Sequence, residues 1–186
     1  MGLTIRQRAD RIGAFRYVSV FLMETLARWI PTTAELEAKV LFGRHVWDFA
    51  QHADWLGRRT GELRAPLQYS CPPTDAYRSV LEQAAGTTGT VERVATAYDA
   101  VLPDLEARYR EFLEQTDRLA DEPSVRIIER ILTDFPRLRH DREAFANARP
   151  DLRATDPLWG ARLLVSARAE HALVLDRAPA RTAGVA

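Results

Sequence analysis

The sequence predicts an all-α protein, an antiparallel four-helix bundle with a long helix 2–3 connection and a C-terminal extension. Three observations carry this. Apolar residues recur at helical spacing in four long segments. The joins between most of them are short and marked by proline, glycine and capping residues. The chain has 186 residues and is 46% hydrophobic, enough for one domain with a sizeable core.

Helix 1 is expected from about Ile5 to Ile30, stopping at Pro31, with Phe15, Val18, Leu22, Leu26 and Trp29 as its main stripe. Between Tyr17 and Leu26 it is apolar almost all round, more than one core face needs. Either residues 158–175 or a second subunit would cover the excess. Helix 2 opens at Thr32 and Thr33, where Thr32 and Glu35 have capping-box spacing. It runs to about Arg64, roughly 45 Å, with Gly43, Gly57 and Gly61 as weak points. A proline-rich loop, Ala65–Thr74, follows, then a short helix over Asp75–Ala85 and a turn at 86–90.

Helix 3 is predicted over about Val91–Leu119, with Pro103 kinking or splitting it. Helix 4 starts after Asp121 and Glu122, whose acids face the positive end of the helix dipole, with Pro123 in its first turn. Pro136 kinks or ends it, and charged helix continues to about Asn147. Residues 1–150 thus form the bundle, and 151–186 an extension: a turn at 156–160, a short helix or strand through ARLLVSARAEHALVL, and a frayed tail, APARTAGVA.

Composition narrows the function. Formal net charge is zero, from 26 basic and 26 acidic residues, which argues against nucleic acid as a partner. No apolar run reaches the roughly 18 residues of a bilayer span, and the N-terminal segment does not read as a signal peptide or a myristoylation site. A cytoplasmic protein is the expectation. Cys71 is the only cysteine, so there is no intrachain disulfide and no cysteine zinc site, and no activating base lies near it in sequence.

The most informative feature lies in helix 2. At about 100° per residue, Ala38, Leu41, Phe42, Phe49, Ala53 and Leu56 share one stripe. His45 and His52 point into its middle, and Asp48 sits on its edge. Such spacing is used by metal and acid–base sites. It equally suits core histidines with satisfied hydrogen bonds, Asp48 orienting one of them. Phe49, Tyr98 and Tyr109 are candidate substrate-binding residues, the two tyrosines being core aromatics otherwise. Trp47 and Trp55 read as packing residues.

Carboxylates on the other helices have two readings each. Glu24, Glu106 and Glu129 either turn inward or pair with Arg28, Arg110 and Arg126, one turn away. Glu122 is a further inward candidate or a first-turn acid.

LEAKVLFGRHVWDFAQHAD in helix 2 and DEPSVRIIERI in helix 4 resemble segments of the ferritin-like superfamily, over roughly residues 10–147. The resemblance implies a four-helix bundle whose helices 2 and 3 are joined by a crossover. In its di-iron members, two helices give one Glu each and two give Glu-x-x-His. Carried over, Glu24 and Glu106 would be the single carboxylates, with Asp48, His52 and Glu129 completing a set for iron or manganese. Helix 2 departs from the pattern, with His-x-x-Asp at 45–48, and Leu132 stands where helix 4 should have histidine.

Two functions follow. One is an enzyme acting on a small molecule, either through non-haem iron or manganese held by Glu24, Asp48, His52, Glu106 and Glu129, or metal-free through acid–base work by His45, Asp48 and His52. The other is a non-catalytic ligand-binding or structural bundle. A homodimer built on helix faces fits the second, and neither reading involves nucleic acid or a membrane.

Overall fold

The computed structural model describes residues 3–174, and among them every regular element is helical. Helix α1 spans Ile5–Thr32. Thr4 and Gln7 open it with a reciprocal capping box, the Gln7 N–H donating to Thr4 Oγ1 (3.2 Å) and the Thr4 N–H to Gln7 Oε1 (2.9 Å). The helix ends one residue after Pro31, two residues beyond the expected Ile30. Thr33 Oγ1 donates to the Trp29 carbonyl (2.8 Å), satisfying a group the helix end would leave open.

Helix α2 spans Leu36–Glu62 without interruption, so its three glycines do not break it. The expected Thr32–Glu35 capping box does not form. Thr32 belongs to α1, and Glu35 instead accepts from the Thr90 hydroxyl at 2.5 Å. α1 and α2 pack along most of their length as a hairpin. After α2, left-handed backbone at Arg64 (φ 62°) and Gln68 (φ 60°) turns the chain. The long connection carries α3, Asp75–Ala85, where the sequence predicts it.

The predicted third helix is one rod in three parts: α4, Thr90–Val94; a π-helical stretch, Ala95–Val101; and α5, Leu102–Gln115. A regular α-helix would drive the Pro103 ring against the carbonyl of Asp99. The wider π turns immediately upstream relieve that clash, so the proline neither splits nor ends the rod. Helix α6, Glu122–Ala148, likewise runs through Pro136.

The extension is helical. α7, Trp159–Ala169, packs on the π-helical stretch and on α3 and α5. The Trp159 indole N–H donates to Thr96 Oγ1 (2.7 Å), and Gly160 lets the two backbones meet: a Cβ there would lie 3.1 Å from Ala95 Cβ and 3.3 Å from Ala95 O. Leu163, Ala167 and Leu173 join the same apolar core as the long helices. Among the described residues, α7 of the extension thus packs chiefly on the π-helical stretch. The tail APARTAGVA lies outside the described residues. No helix among the described residues is long and apolar enough to cross a membrane.

Two buried ion clusters tie the elements together. Asp121, fully buried before α6, accepts from Arg59 Nη2 (2.7 Å), Ser124 Oγ (2.7 Å) and Thr116 Oγ1 (3.0 Å), joining α2, α5 and α6. Asp104 accepts from Tyr77 Oη (2.8 Å) and Arg108 Nε (2.7 Å). Arg108 also donates to the carbonyls of Ala167 and Glu170, holding α7 in place.

Candidate functional site

His45, Asp48 and His52 do share one face of α2, and that face meets a matching one on α6. Asp134, Arg137 and Asp141 repeat the spacing of three and four residues, which places them too on one side of their helix. Because the contacts run in opposite sense along the two chains, the helices are antiparallel and the faces register as three rungs. His45 Nε2 lies 3.0 Å from Asp141 Oδ2, Arg137 Nη2 2.8 Å from Asp48 Oδ1, and His52 Nε2 2.9 Å from Asp134 Oδ2. Arg137 also reaches Asp134 Oδ1 (3.4 Å) and Asp141 Oδ2 (3.9 Å), so one guanidinium lies among three carboxylates.

Both histidines are buried, and burial pushes their pKa values below the ordinary 6.5. Hydrogen bonds to Asp141 and Asp134 and the nearby Asp48 charge oppose that shift without overcoming it, and the Arg137 charge adds to it. Each ring is therefore neutral at pH 7 and donates Nε2–H to its carboxylate. The contact is a hydrogen bond to an ion rather than a full ion pair.

That tautomer leaves His45 Nδ1 with a lone pair, and the Tyr98 hydroxyl, 2.7 Å away, donates into it. Tyr98 comes from the π-helical stretch. Its own pKa is pushed well up by burial and by the charges of Asp141 and Asp48, which keeps the phenol protonated. Asp141, His45 and Tyr98 thus form a continuous hydrogen-bonded chain crossing three elements. Tyr98 also lines a cleft of about 360 Å³ together with Asp99, Pro103, Arg139, Arg142 and Glu143. Two guanidiniums stand at this cleft: Arg142 grips Asp99 with two bonds (3.0 and 2.7 Å), and Arg139 pairs with Glu106 (2.6 Å).

The remaining sequence candidates lie elsewhere. Phe49 packs edge-on against the His52 ring at 5.9 Å, inside the core. Tyr109 is fully buried between Phe15 (4.7 Å) and Phe135 (6.0 Å) and does not line the cleft. Glu24 is exposed on α1. Glu106 pairs with Arg110 as well as Arg139 (both 2.6 Å), Glu129 with Arg118 rather than Arg126, and Glu122 with Arg126. Trp55 packs under Arg130, whose guanidinium carbon is 4.1 Å from the ring centroid. Trp47 is not a packing residue: it is 67% exposed.

The five residues proposed for iron or manganese therefore do not converge. Among the described residues no three His, Cys, Asp or Glu side chains are grouped to hold a metal ion. The donor set explains why. Arg137 brings a fixed positive charge to the centre of the carboxylates, where a metal would otherwise supply it. One acceptor, Asp48 Oδ2, is buried without a hydrogen-bond partner, and a single open oxygen beside a guanidinium does not make a cation site.

Asp134, Arg137 and Asp141 were not singled out from the sequence. Their signal was present: DFPRLRHD carries polar residues at the same spacing as His45, Asp48 and His52, flanking Phe135 and Leu138, which are buried.

The histidine shifts have a pH consequence. In the unfolded chain each imidazole titrates near 6.5 and in the fold at lower pH. Below about pH 6.5 the unfolded state therefore binds more protons than the folded one, so the stabilisation is complete above that pH and lost as pH falls toward the folded values. The thermal midpoint is expected to drop between pH 7 and pH 5, and to drop less in a His45→Gln, His52→Gln double variant. A midpoint flat across that range would refute the shifts.

Compared with protein-family models, curated proteins and solved structures, the chain matches none of them.

Proposed function

We propose that this chain is a metal-free enzyme acting on a small molecule, with His45 serving as an acid–base group through Tyr98 inside a four-helix bundle of ferritin-like layout. The observation that carries the reading is the position of Tyr98. Its hydroxyl is bonded to a buried histidine, and the same residue lines a cleft whose volume suits a small ligand. A ligand C–H acidified by a neighbouring carbonyl gives its proton to Tyr98 Oη while Tyr98 passes its own to His45 Nδ1, leaving the electron pair on the ligand as an enolate. Asp141 stabilises the resulting imidazolium. No free phenolate forms beside the carboxylates, which burial would penalise. The two arginines at the cleft are already paired with Asp99 and Glu106, so a ligand carboxylate would have to displace one of those partners to reach a guanidinium.

Support also comes from the π-helical stretch, since such distortions recur at functional sites. The ferritin-like layout draws on the long helices and on a helix 2–3 connection that carries a small helix.

The test uses the intact chain in D2O with a panel of hydroxy acids, amino acids and keto acids, followed by NMR. At least one compound is expected to shift the ring resonances of both Tyr98 and His45 and to acquire deuterium at a carbon acid. Tyr98→Phe should keep the fold and lose the exchange. If no compound perturbs Tyr98, the reading fails.

The Arg137 clamp favours a second reading, a non-catalytic ligand-binding bundle, because the polar groups of the α2–α6 seam largely satisfy one another. Ligand-induced shifts at Tyr98 without any exchange would select it.

A further inference from the structure

The face of α2 opposite its histidines carries a second apolar stripe that this fold leaves uncovered. Leu36 (69% exposed), Val40 (44%) and Trp47 (67%) stand out from it, with exposed Gly43 between them. Their spacing of four, three and four residues is that of a coiled-coil seam. The inner face, built on Ala38, Leu41, Phe42, Phe49 and Leu56, already anchors the helix in the core. The outer stripe is thus not needed for folding, and a tryptophan exposed to this degree costs solubility without return.

Gly43 is the second observation. Glycine is among the worst residues for a helix interior. Nothing in this fold requires it, because a Cβ at Gly43 would meet only Ile30 Cδ1, at an ordinary 3.9 Å. On the outer side, however, it leaves a notch between Val40 and Trp47, which lets a second helix approach closely.

Charge settles which helix. Glu37 and Arg44 flank the stripe on the same side, one of each sign and seven residues apart. Glu37 is half-exposed beside Arg149 (3.1 Å), and Arg44 is exposed. We propose that α2 pairs antiparallel with α2 of a second copy of this chain across a two-fold axis near residues 41 and 42. In that register Val40 enters the notch at the partner's Gly43, Leu36 packs on the partner's Trp47, and Glu37 faces the partner's Arg44. A two-fold axis repeats each contact, so the stripe is complementary to itself. The sense matters: a parallel pair would set Arg44 against the partner's Lys39 on the opposite flank of the stripe, and these repel.

Sedimentation equilibrium of the full chain tests this. The chain is expected to dimerise at micromolar concentration. Trp47→Glu should sediment as a monomer whose thermal midpoint equals that of the parent diluted below its dissociation concentration, since the side chain is exposed and only the dimer's contribution is lost. Arg44→Glu should weaken dimerisation at least tenfold, and adding Glu37→Arg should restore it to within threefold, because the pair is then exchanged rather than lost. A monomeric parent chain at 100-fold higher concentration would overturn the proposal. So would a dimer that survives Trp47→Glu, or an Arg44→Glu defect that Glu37→Arg leaves unrepaired.

Discussion

Replacing Asp121 with Ala is expected to lower the free energy of unfolding by about 3–5 kcal/mol, the range for breaking a buried, hydrogen-bonded ion pair from one side. Asp121 is fully buried and accepts from Arg59, Thr116 and Ser124. Its loss strands the Arg59 guanidinium, which is 8% exposed, among groups that cannot solvate it. Arg59 keeps its Nε bond to the neutral Ser124 hydroxyl (2.8 Å) and its bond to Glu62 (2.7 Å) at the protein surface, but Nη2 loses its carboxylate. Urea unfolding measures the loss. Adding Arg59→Met should recover part of it, because an apolar side chain of similar length removes the stranded charge. A loss under about 1 kcal/mol would mean that water reaches Arg59 and that the cluster does not join the three elements as described.

Removing Arg137 tests the polar seam. Its guanidinium is the one cation set among Asp48, Asp134 and Asp141. Arg137→Ala leaves three carboxylates near two buried imidazoles, with Asp48 only 13% exposed in its side chain. The guanidinium itself is 45% exposed, so solvent screening reduces the cost well below that of Asp121, to about 2 kcal/mol. The more diagnostic effect is on the histidines. The Arg137 charge now holds both pKa values down, so the substitution should raise the pKa of His45 and of His52 together. Ring-proton NMR titration reads this directly. Unchanged values would show that Arg137 is too well solvated to act on the rings.

With Arg137 present the stability attached to these histidines is greatest above about pH 6.5. Without it the carboxylates already bonded to the rings are no longer offset by a guanidinium and favour the protonated imidazoles, so the acid side of the stability profile should flatten. The two measurements are independent, since one follows ring resonances and the other unfolding.

Much of the helical layout was legible in the chain. Stripes such as Phe15, Val18, Leu22, Leu26 and Trp29 on α1 are the buried residues of the structure. Periodicity works here because each long helix must hide one face, whatever it packs against. Pro31 falls one residue before the end of α1, and helix continues past Pro136 to Ala148, close to where the sequence places both ends. Pro103 is accommodated by π turns. The Thr32 capping box does not form because Thr90, distant in sequence, binds Glu35 instead.

The site was half legible. Two histidines on a greasy face announced a buried polar feature, because an imidazole buried without a partner is costly. Their partners were not announced. Glu24, Glu106 and Glu129 looked equally available, yet each sits where water or a nearby arginine is a better partner than the core. Trp47 was misread because helical periodicity cannot distinguish a second apolar face from a wide first one.

By itself, the sequence determined that this chain is all-helical, which faces of α1, α2 and α6 are buried, and that His45, Asp48 and His52 lie together. These properties follow from local spacing along a helix. Only the tertiary structure decided what those residues meet. The antiparallel register of α2 on α6 sets Asp141, Arg137 and Asp134 opposite them, and the π turns bring Tyr98 to His45. Register between distant helices depends on the packing of both faces at once. Neither helix alone specifies it, and it turns a face resembling a metal site into a hydrogen-bonded seam centred on a guanidinium.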